Sequence, residues 1–141
     1  MTKIMFVCHG NICRSPMAEF VMKDLVKKAG REEDFLIASA AVSTEEIGNG
    51  VYPPARRKLA EHGITCHGHA AHRITADEVE DFDLICYMDA DNGRRLRRMF
   101  GENEKFVPLL GRDVADPWYT GDFQATWLDV LEGCTALLER F

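Results

Sequence analysis

Short apolar runs alternate along the chain with stretches in which apolar residues recur every three or four positions, the pattern of βα units assembled on a parallel sheet. Residues 4–7 are continuously apolar and predict a buried first strand. Ser15 then offers an N-cap and Pro16 a first helical position, and Met17, Phe20, Val21, Leu25 and Val26 keep helical spacing until Gly30 ends the helix. Residues 35–38 predict a second strand, 39–52 a long loop running into Pro53 and Pro54, and about 55–62 a helix closed by Gly63. Residues 84–88 predict a third strand, followed by a helix over 92–99 capped by Asp89 or Asp91. Residues 106–110 are the last strand candidate, weakened by Pro108. From Asp122 the positions Phe123, Trp127, Val130, Leu131, Cys134, Leu137, Leu138 and Phe141 keep helical spacing to the last residue and read as core.

This order predicts an α/β fold, a four-stranded parallel sheet with helices on both faces, in a single domain over residues 1–141. Ligands of such sheets bind beyond the carboxyl ends of the strands, where strand order reverses, which points to the loop after the first strand.

Composition narrows the class. With 46% hydrophobic and 28% charged residues the chain reads as globular, and no apolar run approaches the roughly 20 residues of a membrane span. Five cysteines at 8, 13, 66, 86 and 134 have no framework-like spacing and argue for a reducing compartment, so a cytoplasmic location is expected. A formal net charge of −6 argues against nucleic acid as a partner. The basic runs at 94–98 and 56–58 and the acidic run at 77–83 read as solvated helix faces and loops. Nothing in the pattern fixes an oligomeric state.

The chemistry concentrates between Cys8 and Ser15. A cysteine and an arginine separated by five residues, on a loop entering a helix, suit a curl of backbone N–H groups around one tetrahedral anion, reinforced by the positive end of the helix. His9, Gly10, Asn11, Ile12, Cys13 and Ser15 complete the loop; Gly10 permits positive φ and Asn11 tolerates it. Arg14 would grip two phosphate oxygens with its fork of donors. The groups that attract phosphate also stabilise a thiolate, which makes Cys8 the expected nucleophile, and the Ser15 hydroxyl would ease departure of the sulfur. A leaving phenolate needs a proton, and Asp116, stiffened by Pro117 and followed by Trp118 and Tyr119, is the expected acid beside a slot for a planar ring.

On these residues the chain resembles the low-molecular-weight protein tyrosine phosphatases. The matching segments are 7–16, 39–41, 86–89 and 116–119, in the family's order over nearly the whole length. The resemblance implies a flavodoxin-like fold, hydrolysis of phosphotyrosine on proteins through a phosphocysteine, no metal or other cofactor, and a cradle that accepts inorganic phosphate and related oxyanions. It implies Cys8 as nucleophile, Arg14 as phosphate clamp and Asp116 as acid, with Asn11, Ser15, Ser39 and His69 bracing the loop. It also implies that Cys13 can form a reversible disulfide with the nucleophile. His9 and Glu45 depart from the usual family residues at the rim and bear on which peptides are accepted; nothing catalytic is assigned to His72.

Alternatives remain in view. Cys66, His67, His69 and His72 crowd seven residues and suggest zinc, but no second ligand pair stands at a usual spacing. Arsenate reduction requires a mobile cysteine pair, whereas only Cys86 lies in the relevant region. Protein-arginine dephosphorylation is closer; Ile12, larger and more apolar than a threonine, favours a tyrosine ring. A non-catalytic phosphate-binding or redox module would lack Asp116.

Overall fold

The computed structural model describes every residue from Met1 to Phe141. Strands β1 (Thr2–Cys8), β2 (Phe35–Ala41), β3 (Leu84–Tyr87) and β4 (Phe106–Pro108) form one parallel sheet in the order β2-β1-β3-β4. Helices α1 (Arg14–Lys28), α2 (Pro53–Glu61), α3 (Ala76–Asp81), α4 (Ala90–Phe100), α5 (Pro117–Thr120) and α6 (Phe123–Glu139) connect and cover it. Alternation along β1 sorts the core into two layers. Ile4, Phe6 and Cys8 pack with Met17, Val21, Trp127, Val130 and Leu137 of α1 and α6. Met5 and Val7 pack with Val79 and Leu96 of α3 and α4. Ile4, Met5, Phe6 and Val7 are fully buried, each side chain contributing about 1.5–3 kcal/mol. The four-stranded parallel α/β sheet is the arrangement the alternating pattern predicts, and it is the flavodoxin-like fold the family resemblance implies.

The boundaries differ where local signals meet tertiary demands. Helix α1 begins at Arg14, with Cys13 in the cap position and no side-chain cap, so Ser15 and Pro16 lie inside the first turn. The Ser15 hydroxyl is taken by Cys8 and Asn11 instead of the helix end. Strand β2 runs three residues past the expected 38, because β1 offers a partner as far as Cys8 opposite Ala41. Pro53 and Pro54 form the first turn of α2, as their fixed φ allows. The acidic run contains a helix, α3, started by a capping box between Thr75 and Glu78 and anchored by buried Val79. Asp89, not Asp91, caps α4. Strand β4 stops at Pro108 on the sheet edge, where a missing N–H is tolerated.

From β1 the chain moves outward to β2, then crosses back over β1 to β3 and on to β4. The direction reverses between β1 and β3, so the loops leaving these two strands diverge and open a crevice at their carboxyl ends.

Candidate active site

The loop from Cys8 to Arg14 joins β1 to the first residue of α1. Its turn is made by Asn11, the only non-glycine residue with positive φ, at 62°. Gly10 is not left-handed; instead it permits a close approach, since a Cβ there would lie 3.3 Å from Glu46 Cγ. A left-handed residue bearing a side chain costs about 1–2 kcal/mol, and in Asn11 that side chain compensates by bonding.

Asn11 is wholly buried and uses each end of its amide. The His72 N–H donates to Asn11 Oδ1 at 3.3 Å, while Nδ2 donates to Ser15 Oγ at 2.8 Å and Ser39 Oγ at 2.9 Å. Since Ser15 accepts from Asn11, its own proton can turn to Cys8 Sγ, 3.0 Å away, with Ala40 O at 3.4 Å as the longer choice. The Asn11 N–H also points at that sulfur, at 3.3 Å, so negative charge on Cys8 meets two donors. Ser39 Oγ donates to Glu19 Oε1 at 2.6 Å, and Lys23 pairs with Glu19 Oε2 at 2.6 Å. His69 Nε2 meets Asn11 O at 2.7 Å. Asn11, Ser15, Ser39 and His69 thus converge beneath the loop.

Arg14 retains 3% of its exposure and spans two carboxylates. Its Nη1 lies 2.8 Å from Asp89 Oδ2 and its Nη2 3.2 Å from Asp116 Oδ2. Burial pulls its pKa down, but Cys8, Asp89 and Asp116 outweigh that and hold it above the usual value. Cys13 is pushed up to about 12, chiefly by burial and then by Cys8 and Asp116, so it stands as a neutral thiol beside the cradle. Asp89 does double duty: its Oδ1 accepts the Asn92 N–H at 2.8 Å and caps α4, which aims Oδ2 at Arg14. Asn92 Oδ1 accepts from both Met88 and Asp89, and its Nδ2 is the one buried side-chain donor without a partner.

Above the loop lies a cavity of about 490 Å³ whose lining includes Cys8, Arg14, Asp116, Glu45, Trp118 and Tyr119. Asp116 caps α5 by accepting the Trp118 N–H at 3.1 Å, which keeps its carboxyl over Arg14 and holds the aromatic pair at the rim. Trp118 leans on Tyr52, ring centres 5.1 Å apart, and His9 Nε2 meets Glu45 Oε2 at 2.9 Å. Sequence reasoning missed three participants. Asp89 was legible as a cap and as the end of the matching segment 86–89, but without a part in the site; Glu19 was signalled by a carboxylate on the inward face of α1 four residues before Lys23. Glu46 had no signal beyond its place beside Glu45. No three His, Cys, Asp or Glu side chains converge in a metal-binding group, so Cys66, His67, His69 and His72 do not form one.

A thiol at the floor of a strand-to-helix loop, a buried arginine closing that loop and a carboxyl beyond it define a cysteine-dependent phosphomonoesterase. The chain belongs to the low molecular weight phosphotyrosine protein phosphatase family, whose model matches residues 3–141. It is 37% identical over 147 residues to the low molecular weight protein-tyrosine-phosphatase YfkJ of Bacillus subtilis strain 168, covering 98% of this chain and 94% of that protein. The crystal structure of YfkJ superposes with a TM-score of 0.95 over 99% of this chain and 94% of that one. The Gallus gallus low molecular weight phosphotyrosine protein phosphatase is 38% identical over 152 residues, 97% of this chain and 94% of its own length. The crystal structure of DARP, drosophila arginine phosphatase, has a TM-score of 0.90 at 32% identity, covering 99% of this chain and 97% of that chain. The protein is thus a phosphoric monoester hydrolase of the protein-tyrosine-phosphatase type, acting on phosphoproteins. No helix is long and apolar enough to cross a membrane.

Proposed function

We propose that the chain, as one cytoplasmic domain over residues 1–141, removes phosphate from tyrosine in proteins with Cys8 as nucleophile, Arg14 as clamp and Asp116 as acid and then base. The observation that carries this reading is Arg14, buried at the end of the Cys8 loop and bonded on its far side to Asp116. A phosphoryl group seated on the loop N–H groups would take the Arg14 fork and release Asp116 toward the leaving oxygen. The Cys8 thiolate attacks phosphorus, the phosphorus–oxygen bond breaks, and the phenolic oxygen takes the Asp116 proton. Asp116, now a carboxylate, accepts a proton from water as the water oxygen attacks phosphorus. The phosphorus–sulfur bond breaks, the sulfur leaving as thiolate toward the Ser15 hydroxyl, and inorganic phosphate departs. Asn11, Ser39 and His69 position the loop; Ile12, Trp118 and Tyr119 line the slot for the ring, with His9 and Glu45 at its edge. No metal or cofactor takes part.

Peroxide would convert the Cys8 thiolate to a sulfenic acid, which the Cys13 thiol then attacks, expelling water and forming a disulfide that a dithiol reduces. Mild peroxide should therefore inactivate reversibly; recovery with dithiol that is undiminished in Cys13→Ser would remove Cys13 from this role.

Phosphoarginine is the second reading, favoured by the likeness to the arginine phosphatase and by acidic side chains at the rim, and opposed by Ile12 in the slot. Turnover of an aryl phosphate and of phosphotyrosine, phosphoserine and phosphoarginine peptides by wild type and Cys8→Ser separates the readings. The wild type should favour phosphotyrosine and Cys8→Ser should be inert. Undiminished turnover in Cys8→Ser would sink the mechanism, and faster phosphoarginine turnover would move the substrate to that class.

A further inference from the structure

Five carboxylates line the cavity, and four already meet a basic group. Asp89 and Asp116 share Arg14, Asp91 lies 2.8 Å from Arg95, and Glu45 lies 2.9 Å from His9. Glu46 is the exception. It is half-buried, and the only side-chain partner of its carboxylate is the neutral Asn49 amide, 2.6 Å from Oε2. Its chain lies so close over the cradle that Gly10 has room for no more than a hydrogen atom without crowding Glu46 Cγ. Gly10 therefore brings a carboxylate without a cation to within one residue's reach of the place where the phosphate would sit. An unmatched charge in a partly desolvated cleft interacts strongly with whatever cation completes it.

We propose that Glu46 is a specificity-determining residue that pairs with a lysine or arginine side chain flanking the phosphotyrosine of the substrate protein. The inference rests on the proposed function and names the substrate's chemistry more closely. The pair forms equally in the bound substrate and in the transition state, so its effect falls on KM and leaves kcat unchanged. Asp91 and Glu45, already engaged by Arg95 and His9, offer a flanking cation less.

The test uses phosphotyrosine peptides identical except for arginine, alanine or glutamate beside the phosphotyrosine, assayed with wild type, Glu46→Gln and Glu46→Lys. For the wild type, kcat/KM should be about three- to tenfold higher with arginine than with alanine, and lowest with glutamate, the range spanned by partly exposed and charge-assisted pairs. The arginine preference should fall to near unity in Glu46→Gln, reverse toward glutamate in Glu46→Lys, and shrink as ionic strength rises from about 0.05 to 0.5 M. Equal losses on all three peptides in both variants would mark Glu46 as a structural residue and overturn the proposal, as would a preference that survives Glu46→Gln. Equal turnover of arginine and alanine peptides by the wild type overturns this inference alone. Failure of the wild type on every phosphotyrosine peptide removes the proposed function and this inference with it.

Discussion

The two walls of the cavity are built on opposite principles. The cradle wall is buried and bonded through: Asn11 and Ser15 have no exposure and belong to one network that runs from His72 through Ser39 and Glu19 to Lys23, while Arg14, almost as buried, is held by Asp89 and Asp116. The facing wall rests on the four-residue α5, with Trp118 at 55% and Tyr119 at 85% exposure and Asp116 held by one backbone N–H and Arg14. Rigid donors hold their aim when charge develops, whereas an exposed aromatic rim can yield to different protein surfaces. Under the proposed function, the contrast fixes the chemistry on one wall and leaves the choice of substrate mostly to the other, with Asp116 the single chemical group on the adjustable side.

That exception gives the largest expected effect. Asp116→Ala should lower kcat on phosphotyrosine peptides by about 10²–10⁴, and by less on an aryl phosphate whose leaving group needs no proton. An equal loss on both substrates would show that Asp116 acts by holding the rim and not as an acid. On the cradle wall, Asn11→Ala removes one bond each from the buried Ser15 and Ser39 hydroxyls, takes the acceptor from the part-buried His72 N–H and places alanine at positive φ. It should cost about 2–4 kcal/mol in urea unfolding and lower kcat more than it raises KM. A neutral result would break the claim that the cradle is rigid because it is bonded.

Alkali probes the burial of the thiols. Cys13 and Cys86 are each raised to about 12, in both cases chiefly by burial. Below the ordinary thiol value of 9.0 both folded and unfolded chains keep these protons, and the stability is fully present. Above it the unfolded chain loses them first, so stability is lost as pH rises through 9 toward 12, by about 1.4 kcal/mol per thiol per pH unit. Urea unfolding under reducing conditions at pH 8 and 10 measures this, and Cys13→Ser should flatten the slope by one thiol's share. The smallest effect belongs to the rim: Trp118→Ala should raise KM for peptides about three- to tenfold with kcat little changed. A loss in kcat as large as that of Asp116→Ala would erase the division between the walls.

Legibility in the sequence followed the range of the interactions. The strand cores, the helical faces and the span from Cys8 to Ser15 are local patterns, set by side-chain periodicity and by how far a short loop can curl. The cap of α1 was misread because Ser15 has two claims on its hydroxyl, and a buried thiol and amide prevailed over a helix end that water or the loop can satisfy. Helix α3 carried its signal in Thr75 and Glu78, obscured by the charge around it. Gly10 was read for a turn and serves a close approach, which depends on Glu46 arriving from another segment.

Alone, the sequence determined the layered α/β fold, the position of the anion loop and the residue types it offers, because periodicity and loop length are local properties of the chain. It also carried the family resemblance that pairs this loop with a distant acid. Only the tertiary structure decided that Asp89 and Asp116 meet on Arg14, that Glu19 links Ser39 to Lys23 under the cradle, and that Glu46 lies over Gly10 without a cation. The first of these depends on β3 lying beside β1 and the other two on β2 lying on its opposite side, an order that brings together loops far apart in sequence at the ends of neighbouring strands.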